Sequence, residues 1–234
     1  MGASGETMTF SICVHETYAD AAGERADRFG VAVTTRLPAV GSLCPYVSEH
    51  GAIATQSMIN ERLGRKGLDY LADGVAIDDA LEALLNADDG RAERQVHGVD
   101  DEGAFAFSGA DCHGWVGSRE GENYTVAGNL LTGESVVDAV ADAYAASDRG
   151  EALAPRLIDA LAAGQAEGGD KRETLTVQSA ALKVVTTADD PNAGGYGSDL
   201  RVDATDSPVR DLRETYRQAT VEFARAAEAY EREE

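Results

Sequence analysis

The order in which two hydrophobic periods succeed one another constrains this chain more than any other feature. Residues 8–14 alternate with period two: Phe10, Ile12 and Val14 share one side, Thr9, Ser11 and Cys13 the other. That is the pattern of a strand with two distinct faces. A second strand pattern covers residues 29–35. Between them, residues 16–28 are charged and contain Gly23, and read as a long exposed hairpin loop. Pro38, which has no N–H to give a ladder, closes the second strand. Short strand patterns at 42–48 and 52–56 flank Gly51. The period then changes to 3.6. Residues 67–86 read as two helices broken at Asp73-Gly74. The second carries Ala80, Leu81, Leu84 and Leu85 on one stripe, with Asp78 and Asp79 at its start, where acids complement the helix dipole.

Strands return at 94–99 and 104–108, joined by the turn sequence Asp100-Asp101-Glu102-Gly103, and again at 124–128. Helices follow at 135–146 and 152–166, then a strand at 178–186 and a loop at 194–197. A long acidic helix over 208–231 starts at Pro208, which suits a first helical turn. Blocks of strands thus alternate with blocks of helices. The strict strand–helix alternation of a doubly wound sheet is absent. The expected class is α+β: two antiparallel sheets stacked face to face, each with a helix pair outside, a four-layer αββα sandwich. Residues 1–8 form an N-terminal extension, 9–206 one domain, and 207–234 an acidic helix that serves as an appendage or dimer element. That helix sets Val221, Phe223, Ala224, Ala227 and Tyr230 among its acids, so homo-oligomerisation through it is expected.

Charge narrows the setting. The formal net charge is −22, from 42 acidic and 20 basic residues, and only Lys66, Lys171 and Lys183 are lysines. The acids are spread along periodic segments, which argues against a disordered acidic tail. A carboxylate-rich surface poor in lysine suits molar salt, where the Debye length falls to about 3 Å and self-repulsion is screened. A halophilic, cytoplasmic protein, of haloarchaeal type, is expected. No basic patch exists to neutralise phosphates, so nucleic acid is excluded as a partner. No apolar run approaches the roughly 20 residues of a membrane span, and the polar start, MGASGET, is unlike a secretory signal. Three scattered cysteines, Cys13, Cys44 and Cys112, imply reduced thiols rather than a disulfide framework.

Several segments carry a family resemblance: Thr9-Phe10-Ser11-Ile12, Gly30-Val31-Ala32-Val33, Arg36-Leu37-Pro38-Ala39-Val40-Gly41, Ala54-Thr55-Gln56 and Gly67-Leu68. Further on come Ser108-Gly109 with Cys112 and Trp115, Gly128-Asn129-Leu130-Leu131, Gly168-Gly169-Asp170, Gln178-Ser179-Ala180-Ala181 and Asp199-Leu200-Arg201-Val202-Asp203. Over roughly residues 8–215 the chain resembles the domain of unknown function 1028 family. The resemblance implies an N-terminal-nucleophile-hydrolase-like (Ntn-hydrolase-like) fold. Two departures stand out: seven residues precede Met8, and the segment 171–177 is longer than usual.

Thr9 is the expected catalytic nucleophile. In such enzymes an N-terminal threonine attacks an amide carbonyl while its own α-amine, pKa about 8, takes the proton. Removal of methionine at Met8, or cleavage of the Met8–Thr9 bond, would expose that amine. Asn129, at a strand end, is a candidate oxyanion donor, and also suits a left-handed turn. Asp170, after two glycines, is a candidate to orient substrate or amine. Arg36, just past the second strand, and Ser179 are candidate substrate-binding residues; Arg36 would grip a carboxylate. The expected partner is a small molecule, anionic if Arg36 and Lys171-Arg172 meet it. The expected function is hydrolysis of a small amide or peptide-like C–N bond. The alternative is a non-catalytic ligand-binding or assembly protein on the same fold. Cys13/His15 and Cys112/His113 lack the C-x2-C spacing of a zinc site, so neither metal nor cofactor is expected.

Overall fold

A computed structural model describes residues 9–20, 22–169, 175–188 and 198–231. The N-terminal extension 1–8, Asp170, Lys171-Arg172 and the glycine loop 194–197 lie outside the described residues. Among the described residues the chain forms ten strands and five α-helices. In order they are β1 (Thr9–Ala19), β2 (Arg25–Thr35), β3 (Pro45–Ser48), β4 (Gly51–Ser57), α1 (Glu61–Ala72), α2 (Ile77–Asn86), β5 (Arg94–Val99), β6 (Ala104–Ser108), β7 (Trp115–Glu120) and β8 (Tyr124–Leu131). Then follow α3 (Glu134–Ala145), α4 (Leu153–Ala166), β9 (Gln178–Thr186), β10 (Asp199–Thr205) and α5 (Pro208–Glu231).

The strands form two antiparallel sheets. The larger runs β10-β9-β2-β1-β8-β7, the smaller β3-β4-β5-β6. Alternation along β1 explains the layering. Phe10, Ile12 and Val14 face α3 and α4, meeting Val136, Val140, Leu157 and Leu161 in one buried cluster. The opposite face of that sheet, through Cys13, Phe29, Val31 and Val33, packs on Ala52, Ala54 and Val99 of the small sheet. The outer face of the small sheet, through Ile53 and Val96, packs on Leu63, Leu81 and Leu85 of α1 and α2. Each fully buried leucine here contributes on the order of 1.5–3 kcal/mol. Four layers result: helix pair, large sheet, small sheet, helix pair.

Three expectations from the sequence are corrected. Residues 16–28 are not a long exposed loop: β1 runs to Ala19 and β2 starts at Arg25. The charges are tolerated there because they pair across the hairpin: Glu16 accepts from Arg28 directly opposite it, and Asp27 lies 2.9 Å from His15 Nε2. Two strands, β7 and β10, escape the period-two reading. Both are sheet edges, where polar side chains facing water are favoured over clean alternation. Helix α1 begins at Glu61, capped by Asn60, whose side chain accepts from the Arg62 N–H. Its Gly64 and Gly67, poor helix formers, are there for closeness: an added Cβ would lie 2.1 Å from Tyr46 and 2.5 Å from Ile53.

The C-terminal helix is not wholly separate from the domain. Val209 and Leu212 of α5 are buried in the cluster with α3 and α4, whereas Val221 and Phe223, further along, are exposed. No described helix is long and apolar enough to cross a membrane.

Candidate functional site

The ladder brings three of the five predicted residues, Thr9, Asn129 and Ser179, into one row. Thr9 lies opposite Thr35 of β2 on one side and opposite Asn129 of β8 on the other. Thr35 in turn lies opposite Ser179 of β9. Asn129, Thr9, Thr35 and Ser179 therefore cross four adjacent strands at one end of the large sheet. Thr9 sits on a central strand, not at an edge. It is 4 % exposed, and its Oγ1 donates to Thr35 Oγ1 at 3.2 Å.

The other candidates are partly committed. Ser179 Oγ accepts from the Val40 N–H at 3.0 Å and donates to the Leu37 carbonyl at 2.5 Å, so it holds the turn after β2. Arg36 Nη1 donates to the Leu175 carbonyl at 3.0 Å. Arg36 also lines a cavity of about 300 Å³ with Phe10, Thr34, Thr35, Gln165 and Gln178. Thr9 is not among its described lining residues. Asp170 follows Gly168-Gly169, which border this cavity, but lies itself outside the described residues.

Backbone strain gathers at the same end. Among the described residues three non-glycines have positive φ: Ala39 (63°), Ser57 (64°) and Leu130 (55°). Ala39 follows β2, Ser57 ends β4, and Leu130 is the extra residue of a bulge beside Asn129, since Trp115 pairs with Leu131 and Val116 with Asn129. Each such residue costs on the order of 1–3 kcal/mol, and such costs concentrate at functional sites. Ala39→Gly should therefore stabilise the fold by about 0.5 kcal/mol, the relief of left-handed strain less the added chain entropy. A fall in the unfolding midpoint would contradict this.

A polar network that the sequence did not single out lies between the sheets behind Thr9. Ser11 Oγ donates to Gln56 Oε1 at 2.9 Å and lies 2.7 Å from His97 Nε2. His97 Nδ1 lies 2.8 Å from Thr125 Oγ1. Gln56 Nε2 donates to Gln95 Oε1 at 2.8 Å, and Asn129 Nδ2 donates to the same oxygen at 3.0 Å. The one signal available in sequence was the type of residue: Gln95 and His97 occupy alternate, inward positions of a strand that otherwise reads as apolar. Ser11 and His97 have the composition of a nucleophile and its base. Both are wholly buried, however, and with Gln56 they join the two sheets through side-chain hydrogen bonds.

Burial holds His97 down to about 3, so its ring is neutral in the folded protein at ordinary pH. The unfolded chain takes up that proton near 6.5, which fixes the sign. Stability falls as pH drops from about 6.5 toward 3, by about 1.4 kcal/mol per pH unit from this ring alone. Urea unfolding between pH 6 and 4 should show a steeper loss for the wild type than for His97→Gln. Equal slopes would remove His97 as the source.

The two buried thiols, Cys13 and Cys44, offer no nucleophile. Burial pushes Cys13 well above its ordinary value and Cys44 up to about 12, so neither forms a thiolate at neutral pH. His15, beside Cys13 in β1, is instead paired with Asp27 at 2.9 Å. Among the described residues no group of three or more His, Cys, Asp or Glu is arranged to hold a metal ion.

Comparison with known proteins gives a family without an assigned activity. A crystal structure of the protein SPO2555 from Silicibacter pomeroyi, itself assigned to DUF1028, is similar: TM-score 0.73 and 28 % identity, over 91 % of this chain and 86 % of that one. No curated protein matches. The model of a family of unknown function, DUF1028, matches residues 9–212, which takes in both sheets, the network and the row at Thr9, and the chain belongs to that family.

Proposed function

We propose that this protein hydrolyses a small amide or peptide-like C–N bond, with Thr9 as an N-terminal nucleophile on an Ntn-hydrolase-like sandwich. The observation that carries the reading is the place of Thr9. It opens a central strand, between Thr35 and Asn129, at the end of the sandwich where the strained residues gather. In this chemistry Thr9 Oγ bonds to the substrate carbonyl carbon, and the hydroxyl proton passes to the α-amine of Thr9. The C–N bond then breaks, and the leaving amine departs with that proton. Water adds to the resulting ester, releases the acid and restores Thr9. The Asn129 amide donates to the carbonyl oxygen as charge develops on it. Asp170 orients the amine or the substrate.

Arg36, Gln165, Gln178 and Asp206 line the cavity beside the row and favour a small polar substrate, with Arg36 the one of the four that would attract an anionic group on it. No cofactor enters these steps. The acid-rich surface supports a place in a salt-rich cytoplasm, and exposed Val221 and Phe223 on α5 support contact between copies of the chain. The second reading, a ligand-binding protein without catalysis, draws on one observation: the cavity counts Thr35 and Arg36 but not Thr9 among its described lining.

The α-amine decides between them. Intact-mass measurement on protein from its own host is expected to show a chain starting at Thr9. A chain that retains residues 1–8 yet hydrolyses its substrate would overturn the mechanism.

A further inference from the structure

We infer that Gln95 is a positioning residue, which fixes the side-chain amide of Asn129 beside Thr9 through a buried network with a single proton order. The inference rests on the proposed Thr9 chemistry for its functional part, and on geometry alone for the proton order.

The order follows from one backbone atom. Gln95 Nε2 lies 2.9 Å from the Gly128 carbonyl, which can only accept. A flipped Gln95 would set two acceptors against each other, so Nε2 faces Gly128 and Oε1 faces the other way. Oε1 is then approached by Gln56 at 2.8 Å and Asn129 at 3.0 Å, and both must present N–H. Gln56 therefore turns its oxygen to Ser11, and the Ser11 hydroxyl donates to it at 2.9 Å. Ser11 has no second proton, so across the 2.7 Å contact His97 Nε2–H donates to Ser11. Nδ1 of the neutral ring is left to accept from the Thr125 hydroxyl at 2.8 Å. Every donor in this run has an acceptor to go to, and Gln95 Nε2 also reaches the Gly117 carbonyl at 3.4 Å. Gln95 also donates to Ser108 Oγ at 2.8 Å, so its amide is held on both sides.

The consequence falls on Asn129. One of its two amide hydrogens is spent on Gln95, which fixes the plane and the flip of the amide in a residue only 1 % exposed. The second hydrogen is then held in one direction at the residue directly opposite Thr9. A donor fixed before reaction needs no reorganisation when charge develops, which is the source of its effect.

Two measurements test this, on protein produced in its own host. Ring 15N spectra of His97 in the wild type should show the Nε2–H tautomer between pH 5 and 8; an Nδ1–H tautomer would overturn the proton order. A β-lactone then serves as the probe. Its carbonyl carbon bonds to Thr9 Oγ, its ring C–O bond opens to a hydroxyl, and the protein gains the mass of one lactone. Gln95→Glu and Asn129→Ala should each slow this acylation by about 10²-fold at saturating lactone, with half-saturation unchanged. The double variant should be no slower than Asn129→Ala alone, because Gln95 acts only through Asn129. Independent, multiplying effects would overturn the positioning role, as would unslowed acylation in a folded Gln95→Glu. If the wild type itself gains no mass, the Thr9 reading fails, and the tautomer result stands separately.

Discussion

Replacing Glu16 with alanine is expected to cost about 3–5 kcal/mol of folding stability, the largest loss from any single substitution considered. Glu16 belongs to the face of β1 that meets α3 and α4, and it is 3 % exposed. Arg156 of α4 grips its carboxylate with two nitrogens, at 2.9 and 2.7 Å. Arg28 of β2 donates at 2.7 Å, and the Tyr144 hydroxyl of α3 donates at 2.7 Å. One carboxylate thus joins two strands and two helices. Burial alone would raise its pKa. Hydrogen bonds from Arg156 and Tyr144, with the charge of Arg28, outweigh burial and hold it below the usual carboxylate range. Removing it strands Arg156, 2 % exposed, with its charge uncompensated.

The expected fall in melting temperature is roughly 10 °C for a chain of this length. The loss should persist in molar salt, because salt screens buried charges far less than exposed ones. The exposed pair Arg217–Glu214 on α5 provides the contrast. Breaking it should shift the melting temperature little in dilute buffer and less still in salt. The pH dependence has a definite sign. Since the folded carboxyl is depressed, its contribution is fully present above the ordinary carboxylate pKa and is lost as pH falls through the lowered value. A Glu16→Ala protein that melts with the wild type at neutral pH would show the cluster to be dispensable.

How much of this was legible in the sequence depends on what each residue answers to. Strands with one wet face or two different neighbours declare themselves by alternation, as β1, β5, β6 and β9 do. Residues 16–28 read as a loop because charge in a sequence ordinarily signals exposure, and here it does not. Glu16 is buried by partners that lie 128 and 140 positions away in sequence, and no local pattern can announce them. The same applies to the inter-sheet network. Gln56, Gln95 and His97 look like ordinary polar residues in short strands until the second sheet is laid on the first. Thr9, Asn129 and Ser179 each stand out in the sequence, but that they fall in one row is a property of register, which the β1–β2, β1–β8 and β2–β9 pairings set together. The bulge at Leu130 illustrates a further limit. A leucine gives no hint of left-handed backbone, and only the mismatch between β7 and β8 exposes it.

Thr9→Ala is expected to abolish β-lactone acylation, a loss on the order of 10⁴-fold or more, while the protein stays folded. The folding part follows from what the hydroxyl does. Among the described residues Thr9 Oγ1 makes one hydrogen bond, to Thr35 Oγ1 at 3.2 Å, worth about 1 kcal/mol net. Phe10 and Ile12, which anchor the strand in the core, are untouched. Thr9→Ser keeps nucleophile and amine and should retain acylation; its loss would point to a role for the threonine methyl rather than for oxygen. The pH profile identifies the base. An α-amine must be neutral to take the hydroxyl proton, so the rate should rise about tenfold per pH unit below about 8 and level off above it. A plateau set near 6.5 would instead indicate a histidine, and His97 is buried and hydrogen-bonded at both ring nitrogens. Protein that carries residues 1–8 holds the Thr9 nitrogen in a peptide bond, which cannot serve as a base, and should gain no mass. If that longer form is acylated at Thr9 as fast as the form starting there, the proton goes elsewhere and the N-terminal mechanism is wrong. If only the shorter form reacts, the nitrogen of Thr9 is the base.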